Sequence, residues 1–279
     1  MKNRDYLMES AGESQRLVGK TDDAKTAAQA GWAGLAPGMR VADLGCGPGR
    51  TTSVLHALAQ PGGEAVGIDF GPDRITHADQ HYQSPGLTFH CRDIREPLDD
   101  LGQFDFVWMR FLLEYYRAES FELATKAASL LKPGGILCLV DLDNNCLNHF
   151  EMPERLTRTI ASLMAVLQAK GNFDPYVGRK LYSYLYDLGL AEIRVEVAGH
   201  HVIYGDLKES DAFNWLRKAE VAPAKLGFTF ELYPGGHPEF VAEFQSFFSD
   251  PRRFTYSPLV LCRGRKPQAW PIEPPFLAP

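Results

Sequence analysis

The sequence predicts a doubly wound α/β fold with a mostly parallel sheet, and three observations carry that expectation. Short apolar runs alternate with amphipathic stretches from Arg40 to Asp141, the pattern of repeated strand and helix units. Each apolar run ends in polar or glycine-rich residues, so the carboxyl ends of the strands define one functional edge. The loop Gly45-Cys46-Gly47-Pro48-Gly49 follows the first run, where glycines let the backbone turn sharply and a ligand approach without Cβ obstruction.

Taken in order, the strands are expected at Arg40 to Leu44, Glu64 to Asp69, Leu87 to Cys91, Phe104 to Met109 and Ile136 to Asp141. Helices are expected after Gly49, from Pro72 to about Gln83, and from Ser120 to Leu131, where Lys132-Pro133-Gly134-Gly135 supplies a stop. Before Arg40, the alanine-rich segment Asp22 to Leu35 has helical character, and the more polar Tyr6 to Lys20 suits a lid. Beyond Asp141 the pattern is less regular. Glu154 to Lys170, Tyr176 to Leu188, Asp211 to Glu220 and Pro238 to Phe248 read as helices, while Ala191 to Ala198 and Thr255 to Arg263 read as strands.

Composition narrows the function. With 279 residues, 45% of them hydrophobic and 23% charged, the chain has ordinary globular values and material for a sizeable core. A formal net charge of −6 offers no attraction for phosphate backbones or anionic lipid, so neither nucleic acid nor membrane is an expected partner. Five cysteines without a CxxC pair suggest neither a zinc site nor a disulfide framework, and a reducing cytoplasm fits. No apolar run approaches membrane-spanning length, and Met1 to Glu13 contains no signal-like apolar region.

The helix that begins after the glycine loop has free N–H groups that can meet a carboxylate or a phosphate. Spacing separates these ligands. A dinucleotide fingerprint needs a third glycine where Arg50 stands, and no Gly-Lys-Ser or Gly-Lys-Thr follows to make a triphosphate loop. Asp69 ends the second strand, where its carboxylate can accept from two ribose hydroxyls, and Phe70 can lie against adenine. At the third strand, Asp93 can accept from an adenine amino group beside the apolar Ile94. An aspartate at a strand end is by itself more often a turn or cap residue; order and spacing together make a nucleoside pocket.

With Val41-Ala42-Asp43-Leu44-Gly45-Cys46-Gly47-Pro48-Gly49, Gly67-Ile68-Asp69, Arg92-Asp93-Ile94 and Leu131-Lys132-Pro133-Gly134-Gly135, the chain resembles the class I S-adenosylmethionine-dependent methyltransferases from about Arg40 to Asp141. The resemblance implies a seven-stranded sheet with Ala191 to Ala198 and Thr255 to Arg263 as an antiparallel pair. It implies S-adenosyl-L-methionine as cofactor, with Asp43 and the loop residues Gly45, Cys46 and Gly47 near its methionine part, Asp69 on the ribose, and Asp93 with Ile94 around adenine. Phe104 to Arg110 looks like the family's fourth motif, which places Arg110 beside the reactive methyl. The start looks like that of a bacterial subgroup in which Tyr6 and Glu13-Ser14-Gln15-Arg16-Leu17 fold over the cofactor; Arg16 is then a candidate for bidentate pairing with its carboxylate, with an ordinary surface ion pair as the competing reading. The expected organisation is a helical lid at 1–35, a cofactor-binding core at 36–145, a helical insertion for acceptor recognition at 146–190, and completion of the sheet at 191–279 with a helical insertion at about 204–250.

The implied activity is methyl transfer to oxygen, nitrogen or carbon of a small or medium organic acceptor. The alternative is a module that binds S-adenosylmethionine in a non-methylating role, with a nicotinamide oxidoreductase a distant third. A sulfonium methyl has a good leaving group, so alignment of the acceptor supplies much of the rate, roughly 7 to 11 kcal/mol. Some acceptors also need a base, and the candidates are His149, Glu114 and Tyr115, each with core packing as its competing explanation. His200-His201 and His237 are expected on surface loops without metal-site spacing. Asp141 and Asp143 evoke magnesium-dependent catechol methyltransferases, but Met109-Arg110 stands where those need another carboxylate, so no metal is expected. Phe150, Met152, Phe173, Tyr176, Tyr182, Tyr184 and Tyr186 are the candidate acceptor surface, although tyrosines along a helix are more often packing residues.

Overall fold

Neighbouring side chains on a strand turn to opposite faces, and here that alternation separates two cores. The computed structural model describes residues 13–270, so Tyr6 lies outside the described residues. Its strands are β1 (Arg40–Leu44), β2 (Glu64–Asp69), β3 (Leu87–Cys91), β4 (Phe104–Arg110), β5 (Leu131–Leu142), β6 (Ala191–Ile203) and β7 (Thr255–Arg265). They form one seven-stranded sheet in the order β3-β2-β1-β4-β5-β7-β6. The pairings from β3 through β5 are parallel, and β7 runs antiparallel to both β5 and β6.

The helices are α1 (Glu13–Lys20), α2 (Asp23–Ala33), α3 (Arg50–Ala59), α4 (Pro72–His81), α5 (Ser120–Ser129), α6 (Glu154–Lys170), α7 (Leu181–Asp187), α8 (Glu209–Leu226) and α9 (Gly236–Ser249). Val41, Phe106, Trp108 and Cys138 face one side of the sheet, where Ala30 and Ala33 of α2 and Leu55 and Ala59 of α3 cover them. Ala42, Val107, Leu137 and Leu139 face the other side, under Leu123 and Ala127 of α5 and Leu181 and Leu185 of α7. α2 starts where the Asp22 carboxylate accepts from the Lys25 backbone N–H at 3.1 Å, and it stops at Gly34 in the left-handed region.

The expected stop at Lys132 to Gly135 lies inside β5. Phe104 pairs with Leu131 and Phe106 with Ile136, so the segment bulges out of the ladder, and the two phenylalanines enter different cores.

The two helical insertions close on each other. Leu156, Ile160, Leu163, Met164 and Leu167 make one stripe of α6, and it packs with Trp215 and Ala219 of α8 and Phe240, Phe244 and Phe248 of α9. Each fully buried leucine, isoleucine, methionine or phenylalanine here contributes on the order of 1.5–3 kcal/mol. α6, α8 and α9 therefore make a single cap above the carboxyl edge of the sheet, whereas α7, within the segment 146–190 expected as an insertion, packs on the sheet itself.

The histidines are not on surface loops. β6 continues past Ala198 to Ile203 and carries His200 and His201 as strand residues. His237 stacks on Phe230 at 5.0 Å and donates from Nε2 to the Ala219 carbonyl at 3.0 Å, so it belongs to the cap. Among the described residues, no helix is long and apolar enough to cross a membrane.

Candidate functional site

In the strand order, β1 has its neighbours β2 and β4 on opposite sides, and the crevice outside their carboxyl ends is where an open α/β sheet receives ligands. The backbone N–H groups of Gly45 and Cys46 both donate to the Ile68 carbonyl, at 2.8 and 3.0 Å, which pins the glycine loop to β2. Gly45 has φ +79°, a backbone that favours glycine, and a Cβ there would also crowd the Leu112 side chain at 2.8 Å. The cavity behind the loop is lined by Asp43, Cys46, Gly47, Asp69, Phe70, Ile94 and Arg110 among others.

Charges in this cavity are strongly conditioned by burial. Burial raises the Asp43 carboxyl to about 7, against the opposing effects of the Thr52 hydroxyl, which donates to it at 2.7 Å, and of the Arg110 guanidinium. Burial lowers Arg110 to about 10, and among the described residues its buried Nε finds no partner. A buried donor without an acceptor, lining the same cavity as a buried carboxyl, suits the zwitterionic amino-acid end of S-adenosylmethionine. Burial also raises the Cys46 thiol well above its usual range, which keeps it a protonated packing residue.

Asp69 is already well used. Its Oδ1 accepts from the Gly71 N–H and from Arg74 Nε, both at 2.8 Å, and its Oδ2 accepts from the Gly47 N–H at 3.0 Å. One lone pair of Oδ2 is left for a ribose hydroxyl, and a second hydroxyl needs Arg74 to withdraw. The Arg74 guanidinium also covers the Phe70 ring at 5.0 Å. At the next strand the expected adenine residues separate. Ile94 lines the cavity, whereas the Asp93 carboxylate turns to Arg95, taking its backbone N–H at 2.9 Å and its guanidinium at 2.6 Å.

A second cavity opens beneath α6, α8 and α9, lined by Ile160, Leu163, Met164, Trp215, Phe240 and Phe244. Arg16, Lys20, Glu114 and Lys218 bring charge to it, so Arg16 faces this cavity, and Arg110 is the guanidinium beside Asp43 in the first. Tyr115 lines both cavities. Glu114 is buried, accepts from Asn145 Nδ2 at 2.7 Å, and donates its backbone N–H to Asp141 Oδ2 at 3.2 Å. Burial raises its carboxyl, and Lys20 opposes that rise.

The remaining candidates sit elsewhere. His149 Nε2 faces the Cys146 carbonyl at 3.2 Å and must donate, which leaves Nδ1 to accept from the Thr255 hydroxyl at 2.8 Å. Burial lowers it to about 4, and its ring packs against Trp215, so it holds the cap and lines neither cavity. Asp141 uses both oxygens on the backbone N–H groups of Glu114 and Leu142, and among the described residues no three His, Cys, Asp or Glu side chains converge as metal ligands. Of the expected acceptor surface, Phe173 lines the apolar cavity and Met152 packs into the cap. Phe150, Tyr182 and Tyr186 are exposed, Tyr176 packs against the Arg179 guanidinium, and the Tyr184 hydroxyl meets Ser120 at 2.7 Å.

Sequence reasoning missed Thr52, Arg74, Lys20, Asn145 and Lys218. Lys20 had a legible signal, because Arg16 and Lys20 are spaced four apart and share one face of α1. Lys218 had none, since its neighbours in the site come from elsewhere in the chain.

The comparisons with known proteins bear on the family and the fold. The family model described as Methyltransferase domain matches residues 35–187. A ubiquinone biosynthesis O-methyltransferase of Methylococcus capsulatus is 34% identical over 111 residues, 39% of this chain and 45% of the relative. A 23S rRNA (uracil(1939)-C(5))-methyltransferase of Shewanella amazonensis is 31% identical over 157 residues, 53% of this chain and 34% of the relative. The chain thus spans less than half the length of these curated relatives. In fold, a geranyl diphosphate methyltransferase solved with S-adenosylmethionine superposes with a TM-score of 0.51 at 13% identity, covering 92% of this chain and 91% of that one. The glycine loop, the acidic end of β2, the sheet order and the family match over more than half of the chain lead to one assignment: this chain belongs to the methyltransferase domain family, of the class I S-adenosylmethionine-dependent type.

Proposed function

We propose that this chain transfers a methyl group from S-adenosylmethionine to an oxygen, nitrogen or carbon atom of a small or medium organic acceptor. The observation that supports it most is the wall at Tyr115, where a polar cavity behind the glycine loop meets an apolar cavity under the cap. When bound, the sulfonium supplies a methyl group with a neutral thioether as leaving group. The protein's own task is to hold both partners in line and keep water out. Arg110 offers its unpartnered Nε to the carboxylate of the amino-acid end, and Asp43 accepts from the ammonium. Asp69 takes a ribose hydroxyl on Oδ2, with Phe70 and Ile94 as the apolar surface for the base.

On the other side, the cap helices exclude water, and the Glu114 carboxyl is placed to take a proton from a hydroxyl acceptor. The apolar lining and the net charge of −6 support an organic acceptor over a nucleic acid. Free buried thiols at Cys46, Cys138 and Cys262 support a cytoplasmic setting.

Calorimetry with S-adenosylmethionine and mass spectrometry of S-adenosylhomocysteine formed over an acceptor panel test the proposal. Asp69→Asn is expected to weaken cofactor binding by about 1.5–3 kcal/mol. Tight binding with no transfer to any acceptor would favour the non-methylating module, and no binding at all would sink both readings.

A further inference from the structure

Three cations and one carboxylate gather on one side of the apolar cavity: Arg16 and Lys20 from α1, Lys218 from α8, and Glu114 from the loop after β4. The two lysines find only weak partners. Lys20 Nζ lies 5.0 Å from the centre of the Phe111 ring, while Lys218 Nζ lies 4.6 Å over Trp215 and 3.6 Å from the Cys146 sulfur. Among the described residues, neither ammonium is paired with a carboxylate at salt-bridge distance. Glu114, the countercharge, spends Oε2 on Asn145.

The crowding shows at Lys20, His200 and His201. Burial, then Lys218 and Arg16, bring Lys20 down to about 7, with Arg110 adding to the fall and Glu114 opposing it. On β6, burial and then Lys20 hold both His200 and His201 neutral. Among the described residues, Lys20 and Lys218 therefore bring two positive charges against the one carboxylate of Glu114, in a chain whose formal net charge is −6. A polar rim of that kind on an apolar cavity recognises an amphiphile with an anionic head.

We propose that the acceptor bound in this cavity is an apolar organic acid, its body among α6, α8 and α9 and its acidic oxygen held between Lys20 and Lys218. The proposal rests on reading the cavity as the acceptor site. It narrows the chemistry, because two ammonium groups repel an amine acceptor and stabilise the oxyanion of a carboxylic acid, phenol or enol. The acidic oxygen, or a carbon made nucleophilic by it, is then the atom presented towards Tyr115 and the glycine-loop cavity.

The test uses the full chain without cofactor and three ligands with one apolar body: octanoate, 1-octanol and octylammonium, titrated calorimetrically at pH 6.5. Octanoate is expected to bind at least tenfold more tightly than 1-octanol, with octylammonium the weakest. Lys20→Met and Lys218→Met should each remove most of the preference for octanoate and leave 1-octanol binding unchanged, while Lys218→Arg retains the preference. Equal binding of octanoate and 1-octanol, tighter binding of octylammonium, or no binding of octanoate overturns the proposal. Because S-adenosylmethionine takes no part, the two readings fail separately. Octanoate selectivity without methyl transfer to any acceptor breaks the proposed function, whereas methyl transfer without octanoate selectivity breaks only this inference.

Discussion

The cavity behind the glycine loop and the cavity under the cap share Tyr115, yet they are built in opposite ways. The first is made mostly from strand ends, so most of its parts are short runs of sequence: Asp43 to Pro48, Asp69 to Arg74, Arg110 to Leu112. Its polar groups are fixed by backbone donors, as Asp69 is by Gly47 and Gly71. The second is made from single residues a helical turn apart on α6, α8 and α9, and its shape depends on how three helices pack. A ligand common to a family suits the first construction, and a ligand particular to one protein suits the second. Backbone geometry tolerates little change, whereas the lining of a helical cap can be exchanged one side chain at a time.

The largest effects should separate the two regions. Phe240 is buried in the cap, and Phe240→Ala is expected to cost about 3–5 kcal/mol of stability in denaturant unfolding, with S-adenosylmethionine affinity retained in calorimetry. Asp69→Ala should cost a similar 3–5 kcal/mol and abolish cofactor binding too, because Arg74 would be left charged and buried. The double variant Asp69→Asn with Arg74→Met is expected to recover stability and still bind the cofactor weakly. Recovery of affinity in that variant would show that Asp69 serves Arg74 and not the ribose.

Proton linkage gives a second separation, with slopes up to roughly 1.4 kcal/mol per pH unit. Asp43, raised in the folded chain from 3.8 to about 7, binds its proton more tightly than when unfolded; its contribution is present at low pH and is lost as pH rises from about 4 to 7. Lys20, lowered from 10.5 to about 7, holds its proton less tightly when folded, so its penalty shrinks as pH rises from about 7 towards 10. Stability followed by thermal unfolding should show a falling limb that Asp43→Asn flattens and a rising limb that Lys20→Met flattens. Neither substitution should affect the other limb.

The smallest effect joins the regions. Arg50 pairs with Asp23 at 2.8 Å and donates to the Val18 carbonyl at 2.8 Å, tying the start of α3 to α1 and α2. Arg50→Ala should cost at most about 1 kcal/mol, since the ion pair is partly exposed, and should raise hydrogen exchange in α1 more than in α3.

The same contrast explains what could be read in advance. β1, β2 and β3 begin and end where the apolar runs do, and α6 spans Glu154–Lys170 as its periodicity requires, because burial on fixed faces writes itself into local sequence. Asp69 and Ile94 were legible as strand-end residues. Asp93 was legible as an acid near the third strand, but its pairing with Arg95 was not, since a turn can satisfy a carboxylate as well as a ligand can. His149 read as a base because histidine titrates near neutrality, and only the fold shows both nitrogens committed to Cys146 and Thr255. The tyrosines of α7 read as a substrate surface, and Tyr184 instead packs towards α5 while Tyr182 and Tyr186 face outward. Lys218 and Asn145 enter the site from far along the chain, where no spacing rule reaches.

α1 and the residue that follows it carry two addresses within two turns. Arg16 and Lys20 border the apolar cavity, and Leu17 and Thr21 border the polar one. A rigid rotation or outward step of this one helix alters the walls of both chambers together, so neither can be opened or reshaped from α1 in isolation. Mutational change in those four residues is constrained twice over: a substitution that retunes the charge at the apolar cavity also resets the angle at which the helix borders the polar one.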